Sequence, residues 1–252
     1  MIKISNLTEN ENIKVSQELA GFQVLEHQKD LSVTYPEAMS EYYAQKMNVK
    51  KRQVLINLNN DTYVVQAGAM QWQAGKVEAT SGLKGVGDFL NKAFKSKVTN
   101  ESAVKPEYHG TGKLMLEPTY KHILLINVED WGTMVIDDGL FLACQSSVVQ
   151  SISARSNLSS AALGGEGLFN LALSGKGVVA LESNSPMAEL VEVILEDDEL
   201  KIDGNMAVAW SGSLKFTVEK SGKSLLGSAV SGEGLVNVYR GSGRVLMAVV
   251  AK

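Results

Sequence analysis

At 252 residues, 44% apolar and 21% charged, the chain has the make-up of a protein that buries a core, in one large all-β domain or two ordinary ones. Its net charge of −4 argues against bulk attraction to phosphate backbones, and no apolar run approaches the ~20 residues that span a bilayer. A single cysteine, Cys144, excludes an internal disulfide framework and any cysteine-based metal site within one chain.

The opening residues, Met1 to Glu11, carry neither a basic-then-apolar signal nor an Arg-rich transit pattern, so a cytoplasmic location is expected. Residues 1–51 read as strands and a helix leading into the body of the chain. Gly21 to Glu26 and Leu31 to Thr34 suit strands. Pro36 to Met47 suits a helix, with Thr34 as a cap, Pro36 in the first turn, and Glu37 and Glu41 near the positive end. Met39, Tyr42, Tyr43 and Met47 recur at three- and four-residue spacing, which gives that helix an apolar face for the core or a subunit contact.

From Arg52 onward the chain repeats itself. Gly165-Glu166-Gly167-Leu168 and Gly232-Glu233-Gly234-Leu235 each lead through a short apolar run to Gly-x-Gly and a second apolar run. A degraded copy runs from Glu101-Ser102 to Gly110-Thr111-Gly112. The Gly-x-Gly steps begin at Gly110, Gly175 and Gly241, spaced by 65 and 66 residues, and Glu101, Glu166 and Glu233 keep nearly the same step. Such self-similarity outranks other signals of fold. It divides the chain into repeat one (52–117), repeat two (118–182) and repeat three (183–252), with 1–51 packed on repeat one.

Each repeat also holds a tight turn followed by large apolar residues two apart: Met70 and Trp72, Leu140 and Leu142, Met206 and Val208. Two-residue spacing predicts that both members of a pair are buried on one sheet face, at equivalent places in the three repeats. Tyr63 to Val65, Thr133 to Ile136 and Leu200 to Ile202 are the expected preceding strands. Repeat one has five extra residues near Gly82 to Lys95, where Asp88 caps an expected short helix bearing Phe89, Leu90, Ala93 and Phe94. The class is all-β with one or two short helices. Charge is uneven: Glu182 to Asp203 holds eight acidic residues against Lys201, a net of −7, while Lys84 to Lys105 holds five lysines against Asp88 and Glu101, a net of +3. Solvated surfaces account for this, with head-to-tail attraction between subunits as the sharper reading.

The turn Ala67-Gly68-Ala69-Met70-Gln71-Trp72, the Gly-rich helix leading to Thr99-Asn100-Glu101-Ser102, Ser231-Gly232-Glu233-Gly234-Leu235 and the closing Gly241-Ser242-Gly243-Arg244-Val245 together resemble the altered-inheritance-of-mitochondria family of mitochondrial biogenesis proteins and its bacterial members. The resemblance runs from about Gly21 to the C-terminus; Ser242 stands where the family commonly has proline. It implies three tandem short double-stranded β-helix (jelly-roll-like) units, similar to the tryptophan RNA-binding attenuation protein. It further implies a homotrimer that closes nine units into a ring. It carries over no catalytic, cofactor or metal residues.

Candidate chemistry is sparse. The Gly-x-Gly steps lead into strands and lack a third glycine, so they read as turns rather than a dinucleotide fingerprint. His27, His109 and His122 show no metal-ligand spacing. Glu101, Glu166 and Glu233 recur in every unit, which favours carboxylates that accept backbone N–H groups over catalysis. Asp137-Asp138 and Glu196 to Glu199 lack the alternation of a calcium loop. Lys50-Lys51-Arg52 is the one compact basic run, without interleaved aromatics, so nucleic acid is not an expected partner. Phe89, Leu90 and Phe94, ringed by Lys84, Lys92, Lys95 and Lys97, either pack internally or dock on a protein partner or an anionic membrane surface. The expectation is a non-enzymatic, ring-forming scaffold without a cofactor. The alternative is a small-ligand module with sites between adjacent β units.

Overall fold

The computed structural model describes residues 2–80, 105–154, 169–220 and 235–250. It is all-β. An N-terminal hairpin, β1 (Ile13–Leu19) and β2 (Phe22–His27), precedes the one α-helix among the described residues, α1 (Ala38–Lys46). Next come the long strands β3 (Arg52–Val65), β4 (Met70–Thr80) and β5 (Glu107–Leu116). The middle of the chain holds shorter strands: β6 (His122–Asn127), β7 (Thr133–Ile136), β8 (Phe141–Gln145), β9 (Val148–Ala154), β10 (Phe169–Gly175) and β11 (Val178–Ser183). The chain closes with β12 (Leu190–Asp203), β13 (Ala207–Ser211), β14 (Lys215–Lys220) and β15 (Leu235–Ala248). Phe89, Leu90, Phe94, Glu101, Glu166 and Glu233 lie outside the described residues.

The same four antiparallel pairings occur in three consecutive stretches. In the middle stretch they are β6 with β11, β7 with β10, β8 with β11 and β9 with β10. In the first stretch β3, β4 and β5 each do the work of two short strands. Leu55 to Leu58 face Met115 to Gly112, Asp61 to Val64 face Gly110 to Glu107, and β4 runs along the whole of β5. In the last stretch Leu190 to Leu195 face Ala248 to Gly243, Asp198 to Asp203 face Gly241 to Val236, and β13 and β14 pair with the two halves of β15. The break between halves is a bulge at Asn59 to Asp61, a 3-10 turn from Val128 to Trp131, and a bulge at Leu195 to Asp198. The Gly-x-Gly lies opposite each break, inside β5 and β15 and at the turn from β10 to β11. A bulge bends a strand sharply, and glycine lets the facing backbone follow it.

Neighbouring stretches join through two short strand contacts, β3 with β8 and β7 with β13. The core follows these joints. One cluster spans all three stretches, from Val64 through Leu124, Met134, Ile136, Phe141, Cys144 and Leu173 to Val208 and Leu246. Another packs Phe22, Val54, Tyr63 and Leu114 with Ala143 and Ala180, and a third packs Val135 with Trp210, Tyr239 and Val245. The β1–β2 hairpin turns at Ala20 (φ 47°) and Gly21 (φ 86°), the left-handed pair of a two-residue hairpin. The Tyr63 hydroxyl donates to the Ala20 carbonyl at 2.9 Å, and the Tyr63 ring meets Phe22 edge-on at 5.1 Å.

Three sequence expectations are corrected. Met70 is 37% exposed, whereas Leu142 and Val208 are buried and Trp72, Leu140 and Met206 half-buried. The reason is a bulge that the two-residue spacing ignores, and the three pairs are not at equivalent places. By their partners, Met70 and Trp72 correspond to Phe141 and Ala143 and to Ala207 and Ala209, one residue beyond Leu140 and Leu142 and beyond Met206 and Val208. Met70 faces Leu116 while Trp72 faces Met115, so their side chains lie on opposite faces, and the same irregularity falls between Phe141 and Ala143 and between Ala207 and Ala209. Leu31 to Thr34 is not a strand, because the Asp30 carboxylate accepts the Ser32 N–H at 2.9 Å and turns the chain. Thr34 does not cap the helix; its hydroxyl donates to Glu37 Oε2 at 2.6 Å.

Candidate functional site

Burial separates the strands that join neighbouring stretches from their counterparts at the two ends of the series. Tyr63, Val64 and Val65 of β3 and Met134, Val135 and Ile136 of β7 are buried by the next stretch, and so are β8 and β13, which supply that cover. β12 and β4 occupy the corresponding places at the two ends of the series. There, Lys201, Gln71 and Gln73 are exposed, Leu200 and Trp72 half-buried, and Ile202 alone is well buried. Among the described residues β12 pairs only with β15, and β4 only with β5. Each therefore presents an outer row of backbone N–H and C=O groups, the feature a sheet must cover, blunt or use.

Charge on the β12 edge is organised by arginine. Arg240 on β15 contacts Glu219 at 2.5 and 2.8 Å in a two-pronged pair, and its Nε reaches Glu199 at 2.5 Å. Lys201 meets the same Glu199 at 2.8 Å. Hydrogen bonding from Arg240 draws the Glu219 carboxyl down to about 2, and the same bond raises the guanidinium. A lowered carboxyl stabilises the fold above its ordinary value of 4.5, and that contribution is lost as pH falls through about 2. In a carbon-detected NMR titration Glu219 should show its midpoint near 2, and Arg240→Gln should return it towards 4.5. A wild-type midpoint at the ordinary value would contradict the pairing. Along the same strand Arg244 bonds Glu192 at 3.2 Å and stacks over Trp131, 4.2 Å from its ring centre.

A second cluster anchors the N-terminal segment. Arg52, 3% exposed, contacts Glu26 at 3.2 Å, and Lys50 contacts the same carboxylate at 2.8 Å. The basic run Lys50-Lys51-Arg52 is thus spent inside the chain on Glu26 and Asp30. An open depression of about 630 Å³ lies beside it, lined by residues including Lys29, Leu31, Tyr42 and Lys46. α1 forms one wall of it and has no buried residue: Met39, Tyr42, Tyr43 and Met47 are 73, 55, 62 and 77% exposed. Among the described residues nothing buries that apolar face.

The other sequence candidates that lie among the described residues have polar or buried surroundings. His109 Nδ1 and Thr62 Oγ1 lie 2.8 Å apart across β5 and β3; Ser174 facing Thr133 and Arg240 facing Glu199 hold the corresponding places. His27 meets Gln53 at 3.0 Å, and burial followed by the charge of Arg52 lowers His122. Asp137 accepts from Asn205 at 2.9 Å, tying one turn to the next. Asp197 (φ 54°) sits in the β12 bulge, its N–H donating to Ser242 Oγ at 2.9 Å. Among the described residues no three His, Cys, Asp or Glu side chains converge as a metal site. Burial pushes the Cys144 thiol up to about 12, which keeps it unreactive. No helix among the described residues is long and apolar enough to cross a membrane.

Residues 45–249 match the family described as mitochondrial biogenesis AIM24. Among solved structures, a crystal structure of a Streptococcus pyogenes protein is similar, at 24% identity and a TM-score of 0.58, over 81% of this chain and 90% of that one. At that identity the likeness concerns the fold alone. No curated protein matches the chain.

Proposed function

The chain belongs to the mitochondrial biogenesis AIM24 family, and from that premise we propose that it is a non-enzymatic scaffold built of three tandem double-stranded β-helix units, three chains of which close into a ring. One observation carries the reading: among the described residues the two strands at the ends of the unit series, β4 and β12, have no second partner strand at the places where the two joints inside the chain are covered. Covering such edges by closure is a general solution for β proteins, and a head-to-tail contact closes when the rotation per copy returns to its start. The unused apolar face of α1 supplies a surface for a further protein partner. No side chain is given a catalytic role in this reading, and no cofactor is required.

Light scattering coupled to size exclusion at micromolar concentration should report about three times 27.1 kDa. A stable species of one chain's mass at that concentration would overturn the ring.

A further inference from the structure

The open edges of β4 and β12 are the two halves of one strand joint, and we infer that they pair between successive copies of this chain, antiparallel, with Ile202 of one copy opposite Trp72 of the next. The inference rests on the ring reading and deepens it by fixing the register.

The register follows from the two joints inside the chain, which are alike. In the first, Val65, Val64 and Tyr63 face Ala143, Cys144 and Gln145, flanked by hydrogen bonds from the Gln66 N–H to the Leu142 carbonyl (2.8 Å) and from the Ser146 N–H to the Thr62 carbonyl (3.0 Å). In the second, Ile136, Val135 and Met134 face Ala209, Trp210 and Ser211. There the Asp137 N–H donates to the Val208 carbonyl (3.1 Å) and the Gly212 N–H to the Thr133 carbonyl (2.8 Å).

Both halves of the missing joint can be located by counting from pairs inside each stretch. Asp61 faces Gly110 and Asp198 faces Gly241, so Ile202, four residues on, stands where Val65 stands. The residue three after the second glycine of each Gly-x-Gly, namely Met115, Ala180 and Leu246, faces Trp72, Ala143 and Ala209. Trp72 is therefore the counterpart of Ala143 and Ala209. The count then sets Lys201 opposite Gln73 and Leu200 opposite Ala74. It also points the Asp203 N–H at the Gln71 carbonyl and the Gly75 N–H at the Glu199 carbonyl.

Chemistry along the joint agrees with a second copy as the occupant. Two residues beyond Leu200 and Ala74, the same count sets Asp198 opposite Lys76, so the acidic strand meets a cation. The pairs that are Val64–Cys144 and Val135–Trp210 inside the chain become Lys201–Gln73 here. An edge that waits in water is better protected by lysine and glutamine than by valine and tryptophan, because charge on an edge discourages indiscriminate pairing. The joint thus combines main-chain hydrogen bonds with a sequence-specific register, as in strand addition generally.

Two variants test it. Lys201→Cys with Gln73→Cys replaces exposed side chains only, and mild oxidation should move most of the protein from the one-chain band to linked chains on a non-reducing gel. Each single variant, and the shifted pair Asp203→Cys with Gln73→Cys, should stay at one chain. In the second variant, Gln73→Pro, the N–H removed is one that the register aims outward, while Trp72 and Ala74 keep their bonds to β5. Assembly should be lost while the melting temperature of the isolated chain is kept. If the native mass is threefold but the shifted pair links as readily, or Gln73→Pro assembles normally, the register falls and the ring stands. A native mass of one chain removes both.

Discussion

Arg52→Ala should lower unfolding stability by about 3 kcal/mol, the lower end of the range for removing one partner of a buried ion pair. Arg52 is 3% exposed, and its guanidinium ties two other pieces of chain to β3. It bonds Glu26 on β2 and the carbonyls of Asn48 and Lys50, at 3.2 and 3.3 Å, in the segment between α1 and β3. Its backbone meanwhile exchanges hydrogen bonds with Thr119 at 2.7 and 2.9 Å. Lys50 stays on the Glu26 carboxylate at 2.8 Å, which spares Glu26 full isolation and places the loss at the low end. Denaturant titration reads the effect, and a change within ±0.5 kcal/mol, typical of surface substitutions, would refute the structural role.

The same cluster makes a statement about pH. Burial by itself raises the Glu26 carboxyl, but hydrogen bonding from Lys50 and the charges of Arg52 and Lys50 outweigh it, so the group lies below its ordinary 4.5. A lowered carboxyl stabilises the fold above its unfolded value, and that stability is lost as pH falls through the folded value. Without Arg52 the folded value rises, so the acid limb of the stability profile should move to higher pH. Arg52→Lys keeps the charge but loses the fork, and should fall between the two.

Much of the architecture was legible because it rests on backbone requirements that demand particular residues. The Gly-x-Gly steps mark places where β5 and β15 must follow a bulge in the facing strand, and Tyr63 to Val65, Thr133 to Ile136 and Leu200 to Ile202 are strands because their apolar runs stop at turns. What escaped the sequence depends on neighbours. The bulge at Gln71, Leu142 and Val208 has no residue signature, since three unlike side chains occupy it. β1 alternates weakly, from Ile13 through Val15 to Leu19, and the sequence reading does not include it. The Met and Tyr spacing of α1 does identify a helix, but the apolar face it defines stays in water. The candidate site is hardest to read in advance. Gln73 and Lys201 are unremarkable polar residues until their counterparts Cys144, Val64, Trp210 and Val135 are seen buried in a joint.

The three Gly-x-Gly steps offer a graded test, because one carbonyl stands over the first glycine in each. A Cβ on Gly110 would lie 2.0 Å from the Lys76 carbonyl oxygen, on Gly175 2.7 Å from that of Ser147, and on Gly241 3.9 Å from that of Ser213. These carbonyls correspond, each being four residues after Trp72, Ala143 and Ala209. All three glycines have φ values, 136°, 93° and 115°, that L-residues rarely adopt, so each alanine substitution carries backbone strain of about 1–3 kcal/mol. Only the first two add a collision, worth about 1–3 kcal/mol where the neighbour cannot yield. The neighbour is least able to yield at Gly110. β4 runs unbroken from Met70 to Thr80 and stays paired with β5 on both sides of Lys76, whereas chain reversals separate β8 from β9 and β13 from β14. Gly110→Ala should therefore cost about 4 kcal/mol in total and Gly241→Ala about 2, the middles of those ranges, with Gly175→Ala between them. Denaturant titrations of the three variants at one protein concentration would show this order, the fixed concentration removing any contribution from assembly. Equal losses would mean that strain at positive φ alone governs these sites, and a larger loss at Gly241 than at Gly110 would contradict the closeness of β4 to β5. Because Gly110 holds the strand that carries the open edge, its substitution should also reduce the assembled fraction, while Gly175→Ala should leave assembly as it is.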